Sequence, residues 1–564
     1  MLKKSLIMLS LVSSLVMASK EEFVGSGKGY NGDIKVKVSV ENKKITDIEV
    51  VKHEESGFTR RAMKKINDEI LSSQSLDVDN IAGATYTSEG IKEAVGKAIA
   101  SSGVILNKVA KKATINEELK DLETDIVVVG GGGAGLSAAI AAKENGARVI
   151  LLEKMPMVGG NTNYATGGIN AADTSIQKKL GIEDSAELYY NDTMKGGKNL
   201  NNPSLLKKLT EESKYAIDWL ISKGTDLTEV SFSGGQSVKR IHRPTGGKAV
   251  GPVIVDALNS TLENMGVETK TNNRVVKILM ENNKVSGVLV ENNGKEYKIN
   301  AKAIIMATGG FGANADMVSE YNPNLKGFGT TNNPAITGEG IKLIQEVGGD
   351  VVDMKQIQTH PTVVHQTPNM ITESVRGEGA ILVNRDGKRF INELETRDVV
   401  SKAELEQKGK SAFLIFDQQT RESLSAINGY VKKGLTKEAN NISELSKIIG
   451  VDSKELEKTI TKYNSFVKNG KDSDFGKKGL PREIVKAPFY AIEVSPAIHH
   501  TMGGVKINEN AEVLDKNGDK IQGLYAAGEI TGGVHGGNRI GGNAVTDIIV
   551  FGKIAGENAA KEVK

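Results

Sequence analysis

Hydrophobic and polar positions follow different periods in different parts of the chain, and each period predicts a different element. The unbroken apolar run Ile126-Val127-Val128-Val129 is rich in β-branched residues and predicts a buried strand. An alanine-rich helical pattern covers residues 136–144 and stops at Asn145-Gly146. A second apolar strand, residues 148–152, ends at Glu153. This strand–helix–strand order predicts a parallel α/β unit at the centre of the fold.

The chain before this unit has the pattern of a small α+β domain, which we assign to residues 19–106. Its alternating stretches predict two strands, and its longer periodic stretches predict two helices. These four elements are expected at residues 34–38, 45–49, 62–72 and 89–99. A stretch rich in Lys, Ala and Glu, residues 107–122, is interpreted as a linker or helical spacer.

The chain after this point divides into three segments. Residues 123–352 contain the α/β unit and residues 490–564 return to its pattern, whereas residues 353–489 carry longer charged helical patterns. The pattern of the middle segment therefore differs from that of the segments on either side of it. The further strands and helices that we expect are residues 275–280, 285–291, 302–310, 442–449 and 453–467.

The amino-acid composition limits the cofactors and metal sites that this chain can carry. The chain has 564 residues and a net charge of +3, so several domains are expected and no large basic surface for nucleic acid is implied. Cysteine is absent, which excludes disulfides, thiolate zinc sites, iron–sulfur clusters and thioether-bound haem. Redox chemistry must therefore use organic cofactors, and no metal site is predicted.

The first residues have the pattern of a secretory signal peptide, residues 1–18. Lys3-Lys4 are followed by an apolar stretch, residues 5–17, and by small residues around Ala18. An amphipathic or anchoring helix is the alternative interpretation. The pattern predicts an exported protein, soluble in the periplasm or another extracytoplasmic space.

A glycine-rich turn joins the first predicted strand to the helix. Gly130, Gly132 and Gly135 satisfy the spacing G-x-G-x-x-G. The first glycine permits the tight turn, the second lets backbone approach a pyrophosphate, and the third lets helix and strand pack closely. Glu153 follows the second strand, where a carboxylate accepts ribose hydroxyls. The segment predicts a dinucleotide-binding fold.

A second loop rich in small residues follows Glu153-Lys154 and favours FAD over NAD. From residue 125 to about 561 the sequence resembles the flavoprotein subunits of the fumarate reductase and succinate dehydrogenase family, in particular the soluble enzymes of flavocytochrome c type. The resemblance implies a Rossmann-like FAD-binding domain with an inserted α+β capping domain at residues 353–489. The residues it implies for FAD are Gly130, Gly132, Gly133, Ala134, Gly135, Glu153, Lys154, Gly160, Asn161, Thr162, Ala165, Thr166, Gly167, Gly168, Thr308, Gly309, Glu529, Arg539, Gly542, Asn543 and Ala544.

The small N-terminal domain carries a second cofactor motif at residues 79–88. Asp79, Gly83, Ala84 and Thr85 match the signature of FMN-binding domains, and the matching attachment residue is Thr87. The resemblance implies that a flavin transferase joins FMN to the Thr87 hydroxyl through a phosphoester. The alternative is plain helix capping by Thr87 or Ser88.

Five short motifs, far apart in sequence, resemble the active-site pattern of the fumarate reductases. They are residues 359–362, 370–377, 389–398, 499–504 and 529–544. Fumarate is a dianion, and arginine suits a carboxylate because its guanidinium forms two parallel hydrogen bonds.

The resemblance assigns a role to each of seven residues in these motifs. Arg539 and His499 bind one carboxylate of the substrate, and His360 and Thr372 bind the other. Hydride comes from N5 of the reduced FAD. The proton donor is Arg397, which Glu373 and Arg376 reprotonate.

Two further expectations concern the cofactors and partners. Membrane-bound relatives attach FAD through a histidine, but residues 161–165 contain none, so FAD is expected to be non-covalent and net fumarate reduction is favoured. Electrons are expected to enter through FMN from an unidentified membrane-associated donor. The alternatives are a reductase of another 2-enoate, such as urocanate, acrylate or methacrylate, and a flavin electron carrier without enzymatic activity.

Overall fold

The structure, a computed structural model, describes residues 20–55, 59–81, 83–108, 120–232 and 234–564. The predicted signal peptide, residues 1–18, lies outside the described residues, as does most of the predicted linker. The chain forms two compact units, Met1–Asn116 and Glu117–Lys564, and each is described by itself. Within the described ranges, no helix combines the length and apolar character needed to cross a bilayer.

The N-terminal unit is an antiparallel three-stranded sheet with two helices. Alternate residues of the middle strand, including Ile34, Val36 and Val38, are fully buried. The strands and helices of this unit are Glu21–Lys28, Asp33–Glu41, Lys44–Lys52, Thr59–Ser73 and Thr85–Ile99.

Two predictions for this unit were incomplete. The first strand was missed because it contains Gly25 and Gly27, which sequence patterns rarely place in strands. A Cβ atom at Gly25 would lie 2.0 Å from the Ala94 carbonyl oxygen, so glycine is needed where this strand meets the second helix. That helix begins at Thr85 rather than 89, its N-cap is Ala84, and the predicted capping role of Thr87 or Ser88 is wrong.

The larger unit is built on an eight-stranded sheet whose central strands are parallel. Its buried strand Leu122–Val129 and helix Gly133–Glu144 are the predicted strand and helix. The spatial order of the main path is Arg274–Glu281, Lys284–Asn292, Lys520–Ala526, Lys295–Met306, Leu122–Val129, Val149–Glu153 and Glu268–Thr271, with Glu512–Leu514 paired to Lys520–Ala526.

Two helices pack against each other on one face of this sheet. The helix Asn543–Glu562 lies very close to the helix Gly133–Glu144: a Cβ atom at Gly556 would lie 2.2 Å from the Ala138 carbonyl oxygen.

The strand predicted at 302–310 ends at Met306, since Gly309 turns the chain with φ +77°. The remaining helices of this region are Ser175–Lys179, Ala186–Gly196, Pro203–Ser222, Val250–Asn264, Ala315–Tyr321 and Glu339–Glu346.

The inserted segment contains a five-stranded antiparallel sheet with apolar clusters around Ile381 and Leu382, whose side chains alternate along one strand. Its strands are Ile357–Val364, Phe489–Thr501, Ala412–Asp417, Ile381–Val383 and Lys437–Ala439. Its helices are Ser374–Gly377, Arg397–Leu405, Gln418–Ser423, Ala426–Lys432, Ile442–Ile449 and Ser453–Asn469. The predicted fold class, an α/β domain with an α+β insertion and a small α+β domain before it, is confirmed.

Candidate active site

A cavity lies beside the glycine-rich turn that follows the strand Leu122–Val129. Gly130 adopts φ +107°, and a Cβ atom at Gly135 would lie 1.9 Å from the Gly130 carbonyl oxygen, so both positions require glycine. At Gly132 a Cβ atom would meet no protein atom within 4 Å, which leaves its backbone facing open space. This is the surface that a pyrophosphate needs for close approach.

Glu153 is held rigidly at the rim of this cavity. Its Oε2 accepts from the Gly131 amide at 2.7 Å and its Oε1 accepts from the Met155 amide at 2.8 Å. Burial raises the pKa of its carboxyl. The Thr308 hydroxyl also lines the cavity and is buried with no hydrogen-bond partner among the described residues. A dinucleotide fits these features, because it supplies hydroxyl donors and phosphate acceptors.

Only some of the residues expected to bind FAD line this cavity. Those that do are Gly130, Gly132, Gly133, Ala134, Glu153, Lys154, Gly160, Asn161, Thr162, Thr308, Gly309 and Glu529. Asn543 is instead buried in a network with Asn170 and the Tyr189 hydroxyl. The remaining residues, Gly135, Ala165, Thr166, Gly167, Gly168, Arg539, Gly542 and Ala544, are not among the lining residues.

Sequence reasoning missed two lining segments, residues 273–275 and residues 335–340. The first connects the edge strands of the sheet, and the second precedes the helix Glu339–Glu346. Neither segment matches a motif, so the fold alone brings them to the cavity.

A cluster of cations lies where the inserted sheet meets the larger domain. Arg397 begins the helix Arg397–Leu405, and its Nε donates to Glu373 Oε1 at 2.6 Å. Its Nη1 donates to Gln358 Oε1 at 3.0 Å, and Arg539 Nη2 donates to the same oxygen at 3.0 Å. Gln358 thus holds two guanidinium groups close together. Sequence reasoning missed it, although it directly precedes the motif that begins at Thr359.

Arg376 completes the polar connection to Arg397. Its Nη2 lies 3.5 Å from Glu373 Oε1, and its Nη1 donates to the Glu393 carbonyl at 2.7 Å. Although burial opposes it, the charge of Arg397 and then of Arg376 holds the pKa of Glu373 well below its ordinary value. Glu373 therefore stays ionised between two guanidinium groups.

A buried histidine, His360, and a partly buried histidine, His499, flank this cluster from neighbouring strands. The rings of His360 and His499 are 5.2 Å apart, and the Thr331 hydroxyl lies 2.8 Å from His499 Nδ1. Burial, followed by the charge of Arg397, lowers the pKa of both histidines well below the ordinary value. Both rings are therefore neutral at pH values near 7.

The charges of the cluster favour an anion. Burial and the charge of Arg397 lower the pKa of Arg539 to about 9, which leaves its guanidinium ionised at neutral pH. The guanidinium groups of Arg376, Arg397 and Arg539 thus lie in one cluster with the Glu373 carboxylate. Thr372 directly precedes Glu373, and its backbone amide donates to the Tyr430 hydroxyl at 3.1 Å. The seven predicted catalytic and substrate-binding residues therefore come from the inserted segment, the strand Phe489–Thr501 and the loop at Arg539.

The N-terminal unit holds the second predicted site. Thr87 lies in the first turn of the helix Thr85–Ile99, and its hydroxyl donates to Glu55 Oε2. The N-cap residue of this helix, Ala84, makes no side-chain hydrogen bond to the first-turn amides, and a helix N-terminus favours a phosphate group. The residues present fit a phosphoester-bound flavin.

The larger unit has the fold of a dinucleotide-binding domain with an inserted domain and a cluster of cationic side chains, which defines a flavin-dependent oxidoreductase. Two family comparisons agree with this class: an FAD binding domain matches residues 125–545 and an FMN-binding domain matches residues 29–100. FAD and FMN are therefore its cofactors.

Comparisons with individual relatives identify the family more specifically. The chain is 50% identical over 442 residues to the fumarate reductase (cytochrome) of Shewanella frigidimarina, covering 78% of this chain and 77% of that protein. It is 34% identical to the urocanate reductase of Eggerthella lenta, covering 98% of this chain and 94% of that protein. The open conformation of a flavocytochrome c3 fumarate reductase matches with a TM-score of 0.70 and 44% identity, covering 78% of this chain and 79% of that chain. The chain belongs to the FAD-dependent flavoprotein family of the flavocytochrome c type fumarate reductases.

Proposed function

We propose that this protein reduces fumarate to succinate. The observation that carries the proposal is the pair of guanidinium groups, Arg397 and Arg539, held on Gln358 beside two neutral histidines. A cluster with this excess of positive charge suits a dianion better than a neutral or monoanionic enoate. The 50% identity to a fumarate reductase supports the same substrate.

Each residue has a proposed role. Arg539 and His499 hold one carboxylate, while His360 and Thr372 hold the other, so that the double bond is fixed and polarised. FAD, when bound, supplies hydride to one alkene carbon. Arg397 donates a proton to the other carbon. Glu373, which contacts both Arg397 and Arg376, then passes a new proton to Arg397.

The remaining proposals concern the source of the electrons and the cellular location of the protein. A flavin transferase attaches FMN to Thr87, and electrons enter there from an unidentified membrane-associated donor. The N-terminal pattern Lys3-Lys4 with its apolar stretch supports export to the periplasm or another extracytoplasmic space.

The test is fumarate-dependent oxidation of a reduced viologen dye by the FAD-loaded protein. We expect rapid turnover that falls by about 10³-fold or more in Arg397→Ala, because a lost general acid typically costs two to four orders of magnitude. Arg385→Ala is the matched control, since Arg385 pairs with Glu493 rather than with a residue of the cationic cluster. Fumarate turnover that survives in Arg397→Ala contradicts the proposed acid.

A second candidate substrate has specific support. The urocanate reductase relative covers nearly the whole chain, the FMN-binding segment included. The same assay with urocanate, acrylate and methacrylate separates the candidates. Faster turnover of one of these compounds than of fumarate would identify it as the preferred substrate. No turnover of any enoate would favour an electron carrier without enzymatic activity.

A further inference from the structure

A buried carboxylate contacts the hydroxyl of Thr87, and nothing in the proposed reduction of fumarate uses it. Thr87 is 1% exposed and Glu55 is 7% exposed. The Thr87 hydroxyl donates to Glu55 Oε2, while Glu55 Oε1 accepts from the Asn31 amide at 2.7 Å. Both carboxylate oxygens are thus held, one of them directly on Thr87 Oγ1.

The surrounding backbone leaves room for this carboxylate. At Gly29 a Cβ atom would lie 2.7 Å from Glu55 Oε1, so a larger residue would push the carboxylate away. The phenol of Tyr30 is the titratable neighbour that faces it, and burial followed by the charge of Glu55 raises the pKa of Tyr30. Glu55 is therefore placed by three neighbouring residues, Gly29, Tyr30 and Asn31.

A purely structural role explains this arrangement poorly. Burying a carboxylate is costly, and hydrogen bonds from one hydroxyl and one amide return only part of that cost. A glutamine at this position could make equivalent hydrogen bonds to the helix without placing a charge in the interior. The carboxylate adds one capacity that glutamine lacks, which is to accept a proton.

We propose that Glu55 is the general base for attachment of FMN to Thr87. This inference rests on the proposed attachment at Thr87. In the transfer step Thr87 Oγ1 attacks the flavin-side phosphorus of FAD, and its proton passes to Glu55 Oε2. The new bond joins Oγ1 to phosphorus, the P–O bond of the pyrophosphate breaks, and AMP leaves. No electron is transferred, and the transferase supplies the FAD.

The product state agrees with the same assignment. An ionised carboxylate beside the new phosphoester would repel it, whereas the protonated Glu55 formed in the step is neutral. Its proton can then be donated to a phosphate oxygen. The acceptor domain thus contributes its own base to its modification.

The experiment measures covalent flavin incorporation into the full chain by purified flavin transferase, with FAD and Mg²⁺, as in-gel fluorescence against time. We expect Glu55→Gln to slow incorporation by about 100-fold or more, the usual effect of removing a general base. The deficit relative to wild type should shrink as pH rises, because hydroxide replaces the missing base. Glu49→Gln, a partly exposed carboxylate paired with Lys37 on a neighbouring strand, should react at the wild-type rate.

Four results separate the possibilities. Incorporation into Glu55→Gln at the wild-type rate overturns the role of Glu55, and so does a deficit that is the same at every pH. Glu55→Asp, which keeps the carboxylate, should recover part of the rate, and a rate as low as that of Glu55→Gln also overturns the role of Glu55. Covalent flavin in Thr87→Ala instead overturns the attachment residue, and with it the proposed site itself.

Discussion

At the scale of single residues, Gln358 explains how two like charges, those of Arg397 and Arg539, can lie close together. Its Oε1 accepts from Arg397 and Arg539, and its Nε2 donates to Asn538 Oδ1 at 2.6 Å and to the Arg539 carbonyl at 2.8 Å. The amide is fully used and buried, so its orientation is fixed by its partners. It therefore sets the distance between the proposed acid and the proposed carboxylate clamp.

We predict that Gln358→Met lowers kcat/KM for fumarate by about 10- to 100-fold, because a misplacement of roughly 1 Å in a catalytic group has effects of this size. Methionine has a similar volume but offers no strong acceptor, so both guanidinium groups lose a shared partner. Steady-state viologen oxidation measures the change. Gln345→Met, an exposed position on the helix Glu339–Glu346, is the control. An unchanged kcat/KM in Gln358→Met would show that the two arginines are positioned by other groups.

The same residues mark the limit of prediction from sequence at this scale. Residue types such as Arg397 and His360 stood out because they lie in motifs. Gln358 and Thr331 did not, because their importance comes from partners more than 30 positions away: Gln358 meets Arg397 and Arg539, and Thr331 meets His499. A contact between distant segments leaves no local pattern to recognise.

At the scale of elements, the glycine-rich turn permits a matched comparison. Gly135→Ala places a methyl group 1.9 Å from the Gly130 carbonyl oxygen, whereas Gly132→Ala meets no protein atom within 4 Å. We predict that Gly135→Ala lowers the midpoint of thermal unfolding even in FAD-free protein. Gly132→Ala should leave that midpoint unchanged but weaken FAD binding, because its methyl group occupies space that the pyrophosphate needs. Differential scanning fluorimetry with and without FAD measures both effects, and equal destabilisation by the two variants would contradict this division of roles.

The helix Arg397–Leu405 carries a buried acid, Glu404, whose two carboxylate oxygens have no hydrogen-bond partner among the described residues. Burial raises the pKa of Glu404 well above its ordinary value, even though Arg376 acts to lower it. The folded protein therefore keeps this proton to a higher pH than the unfolded chain does. The unfolded state gains from deprotonation as pH rises, so Glu404 costs stability above the pKa of an unfolded glutamate.

We predict that Glu404→Gln removes this pH dependence. From about pH 5 upward the wild type should lose up to about 1.4 kcal/mol of unfolding free energy per pH unit relative to Glu404→Gln, the slope for one proton. Urea unfolding of the two proteins at several pH values measures the difference. Glu406→Gln, exposed two residues further along the chain, is the control. A constant difference between wild type and Glu404→Gln across pH would contradict the assignment of the buried proton.

At the scale of the whole molecule, the sequence was sufficient for the class of the fold and insufficient for the course of some of its strands. The strand Leu122–Val129 and its helix were predictable because their apolar periods are local and strong. The strand Phe489–Thr501 was not, since it runs through the predicted end of the inserted segment and pairs with strands on both sides. Long-range pairing decides such a limit, and no local pattern records it.

Denaturation should separate the two flavins of this molecule. Histidine, cysteine and tyrosine, the side chains that join covalently to the flavin ring system, are absent among the described residues that line the FAD cavity, whereas Thr87 offers a hydroxyl for a phosphoester. We predict that acid precipitation of the matured protein releases FAD and leaves FMN on the polypeptide. Thr87→Ala should release the same FAD and retain no flavin, while Thr46→Ala, whose hydroxyl bonds to the Ser39 carbonyl, should match the wild type. Absorbance of the supernatant and mass spectrometry of the precipitated chain give the two amounts. FAD that stays with the precipitate would contradict the non-covalent assignment, and FMN in the supernatant of wild-type protein would contradict the phosphoester.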